Sequence, residues 1–237
     1  MPSSEQYRCR SSAGKSCYAD ISLFDISFAQ LFLTYVVLLF SLTVHETAHA
    51  WIADRFGDPT ARKLGRVSLN PLVHVDLIGT VLLPLVALGT GAPLIGWAKP
   101  VPVDVRQLRN PRRDYILVAA AGPASNLAIA LTAAIVLLIV PVQPQTLNEA
   151  NVSVPIATML GQLMRLNVLL AVFNMIPIPP LDGGNVLSGL LPYRLAASFN
   201  KIRPYGFLLL YALIISGGFN YVVVPPYRVI VSWLPAK

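Results

Sequence analysis

One short stretch of the sequence predicts metal chemistry, the pentad His-Glu-Thr-Ala-His at positions 45–49. Residues four apart share one face of a helix, so the imidazoles of His45 and His49 can bind one tetrahedral zinc ion. Glu46 lies between them and can take a proton from an attacking water as a general base. The alternative is a set of polar side chains satisfied by hydrogen bonds at a helix end. That alternative is disfavoured, because ionisable groups inside apolar helices are costly and usually functional.

A hydrolytic zinc site needs a third protein ligand and one open position, and Asp182 is the strongest candidate for that ligand. It lies in the stretch Asn-Met-Ile-Pro-Ile-Pro-Pro-Leu-Asp-Gly-Gly at 174–184, which follows an apolar segment. The prolines restrict the chain and the glycines permit close backbone approach, so the stretch can present one carboxylate rigidly. Asp182 can also be the N-cap of a helix starting near Asn185, and the two roles are compatible.

Two other polar residues allow more than one interpretation. His74 can be a fourth metal ligand, a substrate-gate residue or a hydrogen-bonded histidine at the membrane interface, and the last is favoured. Arg165 lies in an apolar helix that also contains Gln162, Asn167 and Asn174. This polar stripe is expected to face the protein interior. Arg165 can line a substrate path, or it can reach the interface or bind backbone carbonyls.

The composition indicates that lipid surrounds these residues. Hydrophobic residues make up 55% of the 237-residue chain and charged residues only 12%, and the apolar residues come in long blocks. The formal net charge is +7. However, the basic residues lie between the apolar blocks, as they do in cytoplasmic loops of membrane proteins. The pattern predicts a membrane protein and excludes nucleic acid as a partner.

The apolar blocks predict an all-α polytopic membrane protein with about four to six transmembrane helices. A first helix runs directly into the pentad, and we expect it to be retained rather than cleaved as a signal peptide. Four later blocks follow at 77–98, 116–140, 156–176 and 206–234. The second and third can cross a hydrocarbon core of about 30 Å. Glycine and proline pairs divide the last block into two short helices, or into one span plus an interfacial segment.

The block at 77–98 is interrupted by glycines and prolines. Such backbone survives at membrane depth where it is buried in protein or lines a cavity. We therefore predict a re-entrant or β-like element between the first and second core spans. A full crossing there would place Asp182 and the pentad on opposite faces, so one metal site could not form. With the re-entrant element, we expect a multi-pass protein of the cell membrane with an active site that opens toward the basic, cytoplasmic face.

The first 25 residues are expected to form a polar, disordered tail, because they contain little that can be buried. Cys9 and Cys17 lie in this tail without a neighbouring Cys or His that would complete a zinc or redox motif. Residues 26–237 are expected to form a single membrane-embedded domain without internal repeats.

Four motifs give the chain a resemblance to the site-2 protease family of intramembrane zinc metalloproteases, over roughly residues 28–234. The pentad at 45–49 looks like the first motif of that family, and the stretch at 174–184 looks like its second. Gly-Pro-Ala-Ser-Asn at 122–126 resembles the element that opens the intervening helix. Gly-Trp-Ala-Lys-Pro-Val-Pro-Val at 96–103 resembles a segment of the compact bacterial members.

The resemblance implies a metalloprotease with one zinc ion bound by His45, His49 and Asp182, and with Glu46 as general base. It implies hydrolysis of a peptide bond within a transmembrane helix. It also implies that Asn174 positions the substrate or stabilises the oxyanion. The expected partners are a membrane-protein substrate with a transmembrane helix and the lipid bilayer.

The loop at 141–155 is too short for the substrate-selecting domain of larger members, so the compact type without a PDZ or CBS domain is expected. Residues 100–105 alternate in a way that is compatible with an extended segment pairing with an unwound substrate. Two other functions stay open, a zinc-binding membrane transporter and a catalytically silent scaffold. A transporter usually has repeated halves, which the sequence lacks, and a scaffold would not need Glu46.

Overall fold

The structure is a computed structural model that describes residues 28–90, 97–139 and 153–234. The predicted tail with its two cysteines and most of the 141–155 loop lie outside these residues. Ten α-helices lie within the described ranges: α1 (Phe28–Arg55), α2 (Thr60–Lys63), α3 (Leu83–Thr90), α4 (Pro111–Ile139), α5 (Ser153–Asn174), α6 (Asp182–Leu190), α7 (Tyr193–Asn200), α8 (Gly206–Ile215), α9 (Phe219–Val222) and α10 (Val224–Trp233). Every regular secondary-structure element among the described residues is a helix, as predicted.

Three helices are long and apolar enough to cross a membrane: Gln30–Arg55, Pro111–Ile139 and Pro155–Asn174. The C-terminal pair Tyr193–Ile215 and Phe219–Trp233 passes the same test together, with a bend of 88° at the break. The described residues therefore contain three spans, or four if the bent pair is one span. A polytopic membrane protein is confirmed, and the described residues reach the lower end of the expected four to six spans if the bent pair is one span.

The segment between α1 and α4 enters and returns. A π-helical stretch, Leu77–Leu82, leads directly into α3. Together they extend at most about 21 Å, which is less than the roughly 30 Å of a hydrocarbon core. Trp97 then donates its backbone N–H to the carbonyl of Gly79 (3.3 Å), and its own carbonyl accepts a hydrogen bond from Thr80 Oγ1 (2.9 Å). The chain has come back to the level at which it entered, which confirms the re-entrant element.

Two helix boundaries near the pentad and Asp182 differ from the sequence prediction. α1 continues to Arg55, beyond the histidine pair that was expected at its end. α6 begins at Asp182, and Leu181 is its N-cap residue without a side-chain cap. Asp182 is therefore not the N-cap of a later helix. Its carboxylate lies in the first helical turn, where the helix dipole favours a negative charge.

The C-terminal region is divided where the glycine pair predicts. α8 ends just before Gly217, which has φ = 74°. Glycine adopts this positive φ without the strain that a side chain would cause, so the helix can end here. Pro225 and Pro226 instead lie in the first turn of α10, where the missing N–H costs no intrahelical hydrogen bond. The region is thus two helical parts joined at a sharp bend.

Small side chains hold the three long helices together. Ala130, Ala133 and Ala134 of α4 are buried against Met164 and Val168 of α5. Small residues let helix backbones approach closely, and the resulting van der Waals packing favours helix association in lipid. α5 is joined to α1 by a buried hydrogen bond from Asn167 Nδ2 to Ser41 Oγ (2.8 Å).

Arg112, at the start of α4, holds the C-terminal end of α6. Its guanidinium donates to the carbonyls of Gly189 (2.7 Å), Leu190 (3.0 Å) and Leu191 (2.6 Å). These carbonyls lie at the end of the helix and have few intrahelical donors, so a cationic donor satisfies them and complements the dipole. α6 carries Asp182 at its other end, so this contact helps to position that carboxylate.

Arg112→Ala should lower the thermal unfolding midpoint in detergent and reduce the zinc retained per chain. The physical reason is the loss of charge-assisted hydrogen bonds, which for this exposed side chain contribute about 1–2 kcal/mol. Arg113→Ala is the matched control, because Arg113 is an exposed neighbour without a hydrogen bond to the described residues. Equal effects of the two substitutions would contradict this role of Arg112.

Candidate metal centre

The two histidines of the pentad converge in the structure. His45 and His49 lie one turn apart on α1, and both are buried. Their Nε2 atoms are 3.0 Å apart, and their rings meet edge to face at 82°. Two nitrogen ligands of one tetrahedral zinc ion lie about 3.3 Å apart, given Zn–N bonds of about 2.0–2.1 Å. The spacing therefore suits two ligands of one ion.

The remaining ring nitrogens determine which tautomer each imidazole has. His49 Nδ1 lies 2.7 Å from the carbonyl oxygen of Val118, which can only accept, so this nitrogen carries the proton. His45 Nδ1 lies 2.7 Å from Asn126 Oδ1, which is likewise an acceptor. Both Nε2 atoms are therefore left with a free lone pair. This is the arrangement in which histidine binds a metal through Nε2 and is oriented through Nδ1.

Asp182 completes the group from the start of α6. Its two carboxylate oxygens lie 3.1 Å from His45 Nε2 and 3.4 Å from His49 Nε2. Burial opposes ionisation of Asp182, but when the facing imidazoles carry a proton on Nε2, their hydrogen bonds and positive charge outweigh burial and lower the pKa of the carboxyl group to about 2, and a metal cation in place of that proton would act in the same direction. The carboxylate is therefore negative at neutral pH.

The contents of the site fit a divalent metal. One ligand atom from each of the three side chains lies within 4.8 Å of the other two. Asp182 Oδ2 is buried and accepts no hydrogen bond from the described residues, although His45 Nε2 is close. Two imidazole lone pairs and an anionic oxygen cannot satisfy one another without a cation between them. A set of two histidines and one carboxylate is typical of hydrolytic zinc sites.

Glycines allow the supporting backbone to come this close. A Cβ atom at Gly183 would lie 2.2 Å from the carbonyl oxygen of Met175, and one at Gly184 would lie 2.6 Å from the backbone nitrogen of Pro179. The close approach predicted for this pair is therefore observed. It lets α6 pack directly on the backbone of residues 175–179, which precede it.

Gly122 has a role that the sequence analysis missed. A Cβ atom there would lie 2.4 Å from His49 Nε2 and 2.5 Å from His45 Nε2. α4 thus packs its bare backbone against both imidazoles, while Asn126, one turn later, holds His45. The sequence does contain a signal for this role, a glycine-proline pair inside an otherwise apolar helix. Only the fold shows that the glycine faces the two imidazoles.

Glu46 projects from α1 beside the two ligands and is half-buried. Its Oε2 accepts a hydrogen bond from the backbone N–H of Val101 (2.9 Å). The segment that provides this donor is the proline-valine stretch that follows the re-entrant element. Sequence analysis singled out both Glu46 and that stretch, but it did not predict that they touch.

The other candidate residues have different environments. Asn174 Nδ2 donates to the carbonyl of Leu170 within α5 (3.0 Å). His74 is fully buried with Nε2 2.8 Å from the carbonyl of Ser68, so the hydrogen-bonded interpretation is supported, and the ligand group found among the described residues does not include it. Arg165 is exposed on α5 and forms no ion pair with the described residues. Whether it lines a substrate path stays a prediction.

Comparison with known proteins gives a consistent result. The sequence profile of peptidase family M50 matches residues 33–164 and 142–216, which together include His45, His49, Asp182, Gly122 and Asn126. A Bacillus subtilis protein named as a candidate zinc metalloprotease, YwhC, is 35% identical over 190 residues, which are 80% of this chain and 83% of that relative.

Two mycobacterial relatives carry the name of candidate zinc metalloprotease Rip2. The Mycolicibacterium smegmatis protein is 29% identical over 182 residues, and the Mycobacterium tuberculosis protein of strain H37Rv is 32% identical over 186 residues. Each match covers 77% of this chain but 66% of the relative, slightly less than two thirds of its length. No solved structure matches the chain.

Gly122→Ala should remove zinc from the centre, because its methyl group would occupy the space of the two imidazoles. The metal content should fall by at least about 10-fold, as measured by elemental analysis of the purified protein. Gly161→Ala is the matched control in α5, since a Cβ there would meet the Arg165 guanidinium at an ordinary 3.5 Å. If the Gly122→Ala protein kept full zinc, the packing of α4 on the ligands would be refuted.

Proposed function

The chain belongs to peptidase family M50 and is a zinc metalloprotease of that type, and from this premise we propose that it cleaves peptide bonds within or near transmembrane segments of membrane proteins. The proposal rests on the position of His45 and His49 in the fold. His45 and His49 are buried residues of a helix that is long and apolar enough to span a membrane. A substrate reaches such a centre most directly from within the bilayer.

In the proposed mechanism, Glu46 takes a proton from the attacking water and passes it to the leaving amine. Bound zinc supplies Lewis acidity, which polarises the scissile carbonyl and makes the water more acidic. His45 and His49 are held through their Nδ1 atoms, so their lone pairs stay directed at the centre without reorganisation. Asp182 contributes the negative charge that offsets the metal charge in a site of low dielectric constant.

Asn174 is proposed to assist the oxyanion or to position the substrate. Its Nδ2 group is bonded within α5 to the carbonyl of Leu170. That bond uses one of the two hydrogens of the amide group, so the second hydrogen remains as a donor toward a substrate. The bond to Leu170 holds the amide group in one orientation, from which the second N–H can donate to a developing oxyanion.

A helical substrate must unwind before its carbonyl can be attacked, because its peptide groups are bonded within the helix. Residues 100–105 are proposed to hold the unwound part. The backbone N–H groups of Val101 and Asp104 already donate to Glu46 and Asp58, and Pro100 and Pro102 have none. Pairing with the substrate would therefore depend mainly on carbonyl groups of this segment, which would accept hydrogen bonds from substrate N–H groups.

We place the opening of the site at the cytoplasmic face. Both segments next to the re-entrant element are basic, with Arg62, Lys63 and Arg66 before it and Arg106 and Arg109 after it. Basic loops are retained on the cytoplasmic side of membranes. The expected partners are the bilayer and a substrate with a transmembrane helix.

Glu46→Gln should keep zinc and lose about 10²- to 10⁴-fold in the rate of cleavage of a model transmembrane peptide. Glutamine has a similar shape but cannot accept the proton. Asp182→Ala and chelator treatment are the comparisons, because each should remove zinc together with activity. Proteolysis by the Glu46→Gln variant would overturn the proposal, and zinc flux into liposomes that persists in this variant would favour the transporter.

Lys63→Cys and Arg109→Cys should both react from the cytoplasmic side, since the element between them returns to the face it entered. The two positions are exposed. The experiment uses a chain with Cys9 and Cys17 replaced by serine and a membrane-impermeant maleimide on intact and permeabilised cells. Labelling of the two cysteines from opposite faces would contradict the proposed topology.

A further inference from the structure

The segment at 97–104 is anchored on both sides of Val101 by residues that are not metal ligands. Before it, the Lys99 N–H donates to the carbonyl of His74 (2.8 Å). After it, the Asp104 N–H donates to Asp58 Oδ2 (2.7 Å). Asp58 is completely buried, and its other oxygen accepts the N–H of Thr60 (3.0 Å). The position of Val101 is therefore determined by the loop after α1 and by the stretch before the re-entrant element.

The backbone N–H of Val101 donates to Glu46, and the residues next to Val101 offer no other donor. The N–H to Oε2 distance of 2.9 Å is that of a full hydrogen bond. Proline precedes and follows Val101, so no adjacent N–H group can take its place. Within the described part of the chain, Glu46 Oε1 has no hydrogen-bond donor, which leaves one oxygen for a reacting water.

We propose that the backbone N–H of Val101 is the positioning group of Glu46, which rests on the proposed function of Glu46 as general base. A free glutamate side chain has three rotatable bonds and loses about 1.5–2 kcal/mol of entropy when it is ordered. A charge-assisted hydrogen bond to one oxygen offsets that loss before substrate binds. The other oxygen then stays within reach of the water.

The contact also links the catalytic base to the segment proposed to hold the substrate. Val101 is half-buried, whereas its proline neighbours are exposed on the same segment. A substrate that displaces this segment would move the donor away from Glu46, and one that pairs without displacing it would leave the base in place. Correct docking and an oriented base therefore require the same position of residues 97–104.

The decisive comparison is between Val101→Pro, which removes the N–H, and Val101→Ala, which keeps it. A third variant replaces the Val101 amide with an ester by incorporating the matching hydroxy acid, so that only the N–H is lost. We expect Val101→Pro and the ester variant to have a kcat about 10- to 100-fold lower than that of Val101→Ala, which keeps the N–H, while all three retain zinc. A change in KM alone, or loss of zinc from the ester variant, would overturn the proposal.

Amide hydrogen exchange gives a readout that does not depend on activity. In the intact chain, residues 99–103 contain three exchanging amides, those of Lys99, Val101 and Val103, because Pro100 and Pro102 have none. Glu46→Ala should increase exchange at Val101 by at least about 10-fold, while Lys99, bonded to His74, serves as the internal reference. Unchanged exchange at Val101 would refute the contact.

The two proposals fail in different ways. If Glu46→Gln cleaves the model peptide, the role of Glu46 as the base is wrong whatever Val101 does. If Glu46→Gln is inactive but the ester variant keeps the parent kcat, the base stands and the positioning role of Val101 is wrong.

Discussion

Three side-chain atoms that could bind one metal ion, from two distant parts of the chain, lie within 4.8 Å of one another in this membrane protein. Two imidazole lone pairs and a carboxylate are unfavourable neighbours at such distances unless a cation joins them. Each must also be held by a partner that prevents it from turning away. The hydrogen bonds to Asn126 and Val118, the first turn of α6 and the glycines beneath the ligands all serve that one requirement.

α4 is the element that brings the two parts together. It gives Asn126 and the carbonyl of Val118 to the histidines, and its first turn holds the end of α6 through Arg112. Gly122 removes the side chain that would otherwise separate α4 from the ligands. Pro123 follows within the helix and cannot donate to the carbonyl of Ala119, so the regular hydrogen bonding of α4 is interrupted beside the metal centre.

The re-entrant element meets a second requirement, which is that the proposed general base and the proposed substrate-binding segment lie side by side. Because the chain returns at Trp97, residues 97–104 pass the site on the side of Glu46 rather than leaving for the opposite face. Buried Asp58 then holds the far end of the segment. A short irregular stretch is thereby kept in one position, with no β-sheet around it in the part of the chain that the structure describes.

The sequence by itself determined the metal chemistry and the membrane environment. The pentad, Asp182 between prolines and glycines, and the long apolar blocks are local sequence patterns. Such patterns can be recognised without knowledge of the fold. The re-entrant element also followed, since three ligands of one ion must share a face. Only the tertiary structure showed that Gly122 packs on both imidazoles, that Asn126 orients His45 and that Val101 bonds to Glu46. Each of these contacts joins residues 50 or more positions apart, and no short-range pattern encodes which backbone group will face which side chain.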